Sequence, residues 1–571
     1  MRRGLSRAFK ILLGLFALFV IVLAASALAP GPPRKFARLL ARDEVRELRS
    51  PLRPARKQKR VLLIAFDGFG DGQLKRALRE GRLPTLSALL GAEKSSGVYA
   101  HGYAASGVLS ILPSTTMAAW SSVYSGKPAG QTGVPGNEWF ERERMRFVAP
   151  APVSITAQTD TLEMLTDSLV GDSIRVPTLF ELADVRSYVS LAPVYRGADV
   201  FSAPAPQTVL GFISHAKYIF SGEVELSRAM YSEIDEESAK LFAEIIERDG
   251  PPDLGVLYFP GIDLYTHVAK DPLADQLSYA RETLDHSIAQ VLGAYRKKGV
   301  LKGTSILLVA DHGHTPVQKD DRHSLYIGNH EPTQVLARAG YRVRPAERVP
   351  EGDQEDYQAA VAYQGAFAYV YLADRSTCPN KGQKCDWRKA PRLNEDVLPA
   401  ARAFHEANKA GGPIPELVGS LDLVFAREGA PVTEDAKPFQ VFDGQKLLPV
   451  GEYLAQHPRP DLLDLEGRLT ALAVGPYGHR AGDVLLLARS RMSDPIAQRF
   501  YFSKPYTSWH GSPSAQDSLI PMILIREGAS GEALRDELHA AVGEKPTQLS
   551  IAPLIRALLA VDQRELRPQS P

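Results

Sequence analysis

The stretch "LPSTTMAAWSSVYSG", residues 112–126, sets a proline and three hydroxyl residues ahead of a helix-forming run. Thr116 to Ser125 reads as a helix, with Gly126 placed to end it. Ser114 and Thr115 then fall at the N-cap, where a side-chain oxygen accepts a free backbone N–H. A helix start also offers N–H groups and partial positive charge to a phosphate. A hydroxyl in the first turn would lie beside that phosphate. If it also touched a metal, its proton would leave more easily and the oxygen would become a nucleophile.

Three acids and three histidines elsewhere in the chain fit that chemistry. Asp67 directly follows the apolar run "VLLIAF", Asp263 comes four residues after "DLGVLYF", and Asp311 directly follows "TSILLVA". His267 lies four residues after Asp263, His312 directly follows Asp311, and His510 stands in "SWHGS". Carboxylates gathered at one dry rim would repel one another, and cations resolve the repulsion. Mixed carboxylate and imidazole ligands suit Zn²⁺. These six residues provide three ligands for each of two ions. Each signal is weak alone, since a strand-end Asp is commonly a turn or cap residue; the conjunction carries the reading. His314 and His323 lie close to the proposed site in sequence, while His286 falls on the polar side of a helix.

The elements that must position these groups are legible. Val61–Phe66 is a short, continuous apolar run, as expected of a strand buried on both faces of a parallel sheet. The runs ending at Phe259 and Ala310 read the same way. Between them Leu273, Leu277, Ala280, Leu284, Ile288, Leu292 and Tyr295 recur at spacings of three and four, an amphipathic helix that Gly299 ends. Strand, helix, strand at this spacing is a βαβ unit. Residues 518–527 read as a later strand of the same sheet. In an open α/β sheet the carboxyl ends of the strands form the ligand crevice.

The 571 residues carry a net charge of +1, which gives no field for binding a nucleic-acid duplex. Residues 1–29 read as a signal peptide or an N-terminal membrane anchor. Arg2, Arg3, Arg7 and Lys10 precede an apolar run over 11–28, and small residues follow. Either form places the body outside the cytoplasm, periplasmic or secreted. Residues 30–58, rich in Pro, Arg and Lys, read as a tether. The catalytic core is expected over 59–334 and 471–571, with an inserted cap region over 335–470. Cys378 and Cys385 are the two cysteines, and an oxidising compartment favours a local disulfide between them.

The segments "VLLIAFDGFGDG", "PSTTMAAW", "YSGKPAGQTGVPGNEWF", "GIDLYTH", "ADHGHT" and "WHGS" together resemble the nucleotide pyrophosphatase/phosphodiesterase branch of the alkaline phosphatase superfamily. The resemblance covers roughly 60–330 and 470–530 in the family's order. It implies a three-layer α/β/α fold around a largely parallel sheet. Its Pro-x-x-Thr pattern selects Thr116 as nucleophile, with Thr115 as fallback. It implies one zinc on Asp67, Asp311, His312 and the Thr116 oxygen, and a second on Asp263, His267 and His510. Mn²⁺ or another divalent ion accepts similar ligands. The implied reaction is in-line attack by Thr116, a phosphothreonine, and hydrolysis by water.

There are departures from the family pattern. Ala119 stands where animal members often carry Asn, which weakens a nucleotide preference. Thr132 stands where His is frequent. Asn137 matches, and with Trp139 and Phe140 it is expected to line a pocket for a nucleotide base or a lipid head group. A phosphomonoesterase, a phosphonate hydrolase and a phosphoethanolamine-type transferase could use the same site. An inactive surface binding module remains the reading of another class. No residue names the substrate.

Overall fold

The computed structural model describes residues 40–56, 59–154, 160–161, 163–164, 168–209, 228–325, 332–345 and 356–560. The apolar run at 11–28 lies outside the described residues. Among those described, no helix is long and apolar enough to cross a membrane.

The framework is a ten-stranded mixed sheet. Its centre is parallel: Val200–Ser202, Ser187–Ser190, Leu254–Phe259, Arg60–Phe66 and Thr304–Ala310 lie side by side in that order. Met522–Ile525 then pairs antiparallel with Thr304–Ala310, and Gly102–Ala104, Val98–Tyr99 and Glu93–Ser95 continue to one edge. The strand expected near residue 520 therefore joins the sheet, but runs against its parallel neighbours.

Both faces of the central strands are covered, which is why they read as unbroken apolar runs. Val61, Leu63 and Ala65 pack with Trp120, Val123, Leu534 and Ile555 on one side. Leu62, Ile64 and Phe66 pack with Leu74, Phe242, Ile288 and Leu292 on the other. Helices therefore sandwich the sheet in three layers. Truncating one such aliphatic side chain to Ala costs about 2–5 kcal/mol.

The expected crossover helix is present as Pro272–Tyr279 and Asp285–Lys297, joined by a π-helical turn at Ala280–Leu284. Gly299 follows with φ of +71°, a left-handed conformation that favours glycine.

Register puts the acids on one rim. Phe66 pairs with Phe259 on one side and with Ala310 on the other. The three strands therefore stop level with one another, and Asp67 and Asp311 leave from adjacent ends. Asp263 sits one short step further on, in the first turn of the helix Gly261–Thr266.

A second, six-stranded antiparallel sheet is built from Ala359–Gln364, Phe367–Leu372, Val484–Ala488, Leu421–Ala426, Gln440–Phe442 and Leu447–Pro449. Its first hairpin braces the site. Gln364 Oε1 accepts the Asn137 N–H at 2.7 Å, and the Ala366 N–H donates to the His510 carbonyl at 3.1 Å. Cys378 and Cys385 form a disulfide beside this sheet.

The tether reading of 30–58 fails for its described part. Val45–Glu47 is an edge strand antiparallel to Val200–Ser202, and Arg53 bonds Asp184 and Asp199. A three-residue edge strand is too short to leave a periodic signal, and the arginines that look like a charged linker are anchors.

Candidate active site and metal centre

Thr116 is the first residue of the helix Thr116–Val123, directly after the N-cap residue Thr115. No side chain of Ser114 or Thr115 caps it, contrary to expectation. Ser114 Oγ donates to the Ser512 carbonyl at 3.1 Å, and Thr115 Oγ1 is buried without a hydrogen-bond partner. The cap comes from a distance instead: the Met117 N–H donates to Asn137 Oδ1 at 3.0 Å. Thr116 Oγ1 lies 3.4 Å from His312 Nε2 and lines a cavity of about 250 Å³.

The six expected ligands converge in two buried groups, Asp67/Asp311/His312 and Asp263/His267/His510. In the first, His312 Nε2 is 3.4 Å from Asp67 Oδ1 and 3.3 Å from Asp311 Oδ2. In the second, Asp263 is 3.4 Å from His267 Nε2 and 3.9 Å from His510 Nε2. The His312 and His510 rings stack with centroids 3.5 Å apart, so the two groups share a border.

Second partners fix each ligand. His267 Nδ1 bonds the Ser508 carbonyl at 2.8 Å, His510 Nδ1 the Ser114 carbonyl at 3.0 Å, and His312 Nδ1 the Gly313 carbonyl at 3.1 Å. A carbonyl only accepts, so Nδ1 carries the proton on all three rings. Each Nε2 is then the ring nitrogen that faces the site, the atom a metal would take. Asp311 Oδ1 accepts from the Gly68 and His312 backbone N–H groups, and Tyr258 donates to Asp67 Oδ2. The opposite oxygens, Asp67 Oδ1 and Asp311 Oδ2, are buried with no hydrogen-bond partner. Two orphaned carboxylate oxygens beside an imidazole lone pair fit a cation.

Electrostatics agree. Burial, then Asp311 and Asp263, push Asp67 well above the usual carboxylate range. Burial raises Asp311 to about 7. Burial also opposes the charge on Asp263, but His267 and His314 outweigh it and hold the group well below its usual range. Burial lowers His312 to about 3 and depresses His510 strongly, keeping both rings neutral. The Asp67/Asp311/His312 group is thus short of positive charge and supplied with lone pairs.

His314 belongs here too. Its Nε2 lies 2.8 Å from Asp263 Oδ1, and its Nδ1 lies 3.1 Å from Ser508 Oγ. Ser508 donates its own proton to the Thr266 carbonyl, so it accepts from Nδ1. A proton or a cation must then lie between Nε2 and Asp263. Asp263, His312 and His314 form a third convergent group. Gly68, at φ +65°, makes room, because a Cβ there would stand 2.5 Å from His314 Nε2. His323, the other neighbour in sequence, instead bonds Asp320 at 2.7 Å and does not line the cavity. His286 is exposed, as expected.

Asn137 lines the cavity as expected, but Trp139 and Phe140 do not. Trp139 is buried in the core beneath the sheet, and Phe140 packs edge-on to Trp387 at 4.8 Å. Both sit on the short strand Trp139–Glu141, whose side chains all point into packed interior. Other aromatics face the cavity: Phe201, Tyr231, Tyr258, and the pair Tyr506 and Trp509, stacked at 5.3 Å with Trp509 4.2 Å from the His267 ring. The proximity of that pair to His510 in sequence was the available signal. Asp517, buried and pushed up to about 6 by burial, accepts from Thr315, the Ser512 N–H and Tyr501, and so ties the His312 loop to the His510 loop.

Comparison with known proteins places this arrangement. Among solved structures, murine ectonucleotide pyrophosphatase / phosphodiesterase 5, in an inactive form with AMP, is 11% identical, with a TM-score of 0.49 over 89% of this chain and 96% of that one. Human ectonucleotide pyrophosphatase / phosphodiesterase 5 is 12% identical, at 0.47 over 88% and 96%. Phosphonoacetate hydrolase from Sinorhizobium meliloti 1021, with phosphonoformate, is 16% identical, at 0.44 over 88% and 95%. No curated protein sequence matches the chain. The family model "Type I phosphodiesterase / nucleotide pyrophosphatase" matches residues 61–434, well over half the chain and most of the site. The chain therefore belongs to the type I phosphodiesterase / nucleotide pyrophosphatase family of hydrolases.

Proposed function

We propose that the chain is an extracytoplasmic di-zinc phosphodiesterase that works through a phosphothreonine on Thr116. The observation that carries this is the placing of Thr116 Oγ1, at a helix start, 3.4 Å from the imidazole of one Asp/His group whose neighbour is the other. Asp67, Asp311, His312 and the Thr116 oxygen would hold one zinc, and Asp263, His267 and His510 the second. When bound, zinc supplies Lewis acidity at the phosphoryl oxygens and lowers the pKa of oxygens it touches.

The chain's own groups do the rest. Thr116 Oγ loses its proton to solvent and forms the new bond to phosphorus as the bond to the ester oxygen opposite breaks, the departing alkoxide taking a proton from water. Asn137 is held by three bonds, through its N–H, its carbonyl and its Oδ1, which leaves its Nδ2 amide to donate to a phosphate oxygen. Thr116 and Asn137 therefore grip the phosphoryl group from one rigid unit. Water then opens the phosphothreonine and restores the hydroxyl. The disulfide at Cys378 and Cys385 supports an oxidising compartment. The basic and apolar start of the chain supports export.

His314 acts as a positioning residue that orients Asp263. His314→Ala is expected to weaken zinc binding about 10–100-fold, read by chelator competition. The function itself is tested by stripping metal, restoring zinc, and assaying p-nitrophenyl esters of a monophosphate, a diester and a phosphonate. The proposal expects diester turnover that returns with zinc and exceeds monoester turnover. Monoester preference, or turnover unaffected by stripping, would contradict it.

A further inference from the structure

We propose that the cavity beside Thr116 receives an apolar alkyl or aryl group esterified to the phosphorus, in preference to a nucleoside or a second phosphate. This inference rests on the phosphodiesterase reading above and narrows its substrate class.

The argument comes from the wall of the cavity. The same space that exposes Thr116, Asp67, Asp263, His267 and His510 is bounded by Met117, Leu191, Phe201, Ile234, Val268 and Trp509. Pro150–Val153 and Pro193 extend the apolar lining, and prolines offer no N–H to a ligand. Among the described residues the charged or imidazole side chains on this wall are Asp67, Asp263, His267 and His510, all of them in the two metal groups. Among the described residues, no lysine or arginine stands on it. A pyrophosphate would bring a second anionic phosphate into a space whose described wall provides no lysine or arginine for it. A nucleobase would bring several donors and acceptors, and the described wall offers few partners beyond Asn137, Thr161 and tyrosine hydroxyls.

An apolar substituent suits the same wall. Its transfer from water is favourable in proportion to area, and each buried methylene is worth up to about fourfold in binding. The stacked Tyr506 and Trp509 rings give a flat face at the end nearest His267. Met117 and Met164 are unbranched and adapt to irregular chains. Ile234, on the long helix Arg228–Asp249, is 5% exposed and projects into the cavity rather than into solvent.

The test holds the leaving group constant. The zinc-loaded full chain is assayed on methyl, butyl, hexyl and phenyl p-nitrophenyl phosphate, and on thymidine 5′-p-nitrophenyl phosphate. The inference expects kcat/KM to rise at least tenfold from methyl to butyl, and expects the hexyl or phenyl ester to exceed the thymidine ester by tenfold or more. Ile234→Asn is expected to lower the hexyl-to-methyl ratio at least threefold. The wild-type series decides the matter even if that variant folds poorly. A flat alkyl series, or a thymidine ester that is the best substrate, would overturn the inference and leave the phosphodiesterase reading standing. Failure to cleave any diester with zinc restored would overturn both.

Discussion

Thr116→Ala is expected to lower diester turnover by at least a thousandfold, about 4 kcal/mol of transition-state stabilisation. The variant should keep its fold and most of its zinc. Thr116 begins a helix, where alanine is tolerated well, and the methyl group fits the space left by the hydroxyl. The metal groups keep their six side-chain ligands, each fixed by its own second partner. Thr115 cannot take over, because the residue is 1% exposed, its hydroxyl is buried, and it does not line the cavity. The check is a matched assay of turnover, zinc content and melting temperature. Retention of more than a few per cent of activity would remove Thr116 from its role.

Metal removal should have an equally large effect on rate and a distinctive effect on stability. Without a cation, Asp67, Asp263 and Asp311 face one another in a dry rim. Asp311→Asn removes one of these carboxylates. In the zinc-loaded protein the variant should be less stable than wild type and lose at least a hundredfold in turnover, since a ligand is gone. In the metal-free protein the order should reverse at pH 7.5. The sign follows from burial raising Asp311 from 3.8 to about 7. A group raised in the folded state costs stability once the unfolded form ionises, so the cost grows from about pH 4 towards 7. At about 1.36 kcal/mol per pH unit, the metal-free advantage of Asp311→Asn reaches ~4 kcal/mol at most. It should vanish as pH falls to 4. Denaturant melts of both proteins, with and without zinc, across pH 4 to 8 measure this directly. An advantage that is independent of pH would contradict the charge argument.

The parts of the site that were legible in the sequence were those carried by continuous, local patterns. The strands ending at Phe66, Phe259 and Ala310 announce themselves because both faces are buried, and the acids that follow them inherit a position from register alone. The ordered motifs then supply Thr116 and the three histidines. What stayed hidden depends on contacts far apart in the chain. The Met117 N–H is capped by Asn137, and not by the adjacent hydroxyls, because Gln364 of the second sheet holds Asn137 in place. Trp139 looked like a pocket residue and is core, while Trp509 faces the cavity; which side of a short strand meets solvent is decided by what packs on it. His314 gave only a faint signal because its partner, Asp263, lies 51 residues away. The edge strand Val45–Glu47 is formed by pairing with Val200–Ser202, which no local pattern encodes.

The most direct test of the central claim is anomalous diffraction from crystals of the zinc-loaded protein, collected on both sides of the zinc edge. The account predicts two peaks, one within ligand distance of Asp67, Asp311 and His312, the other within ligand distance of Asp263, His267 and His510, with Thr116 Oγ1 beside the first. A single peak, a peak held instead by Asp263, His312 and His314, or two peaks with Thr116 Oγ1 away from both, would contradict it.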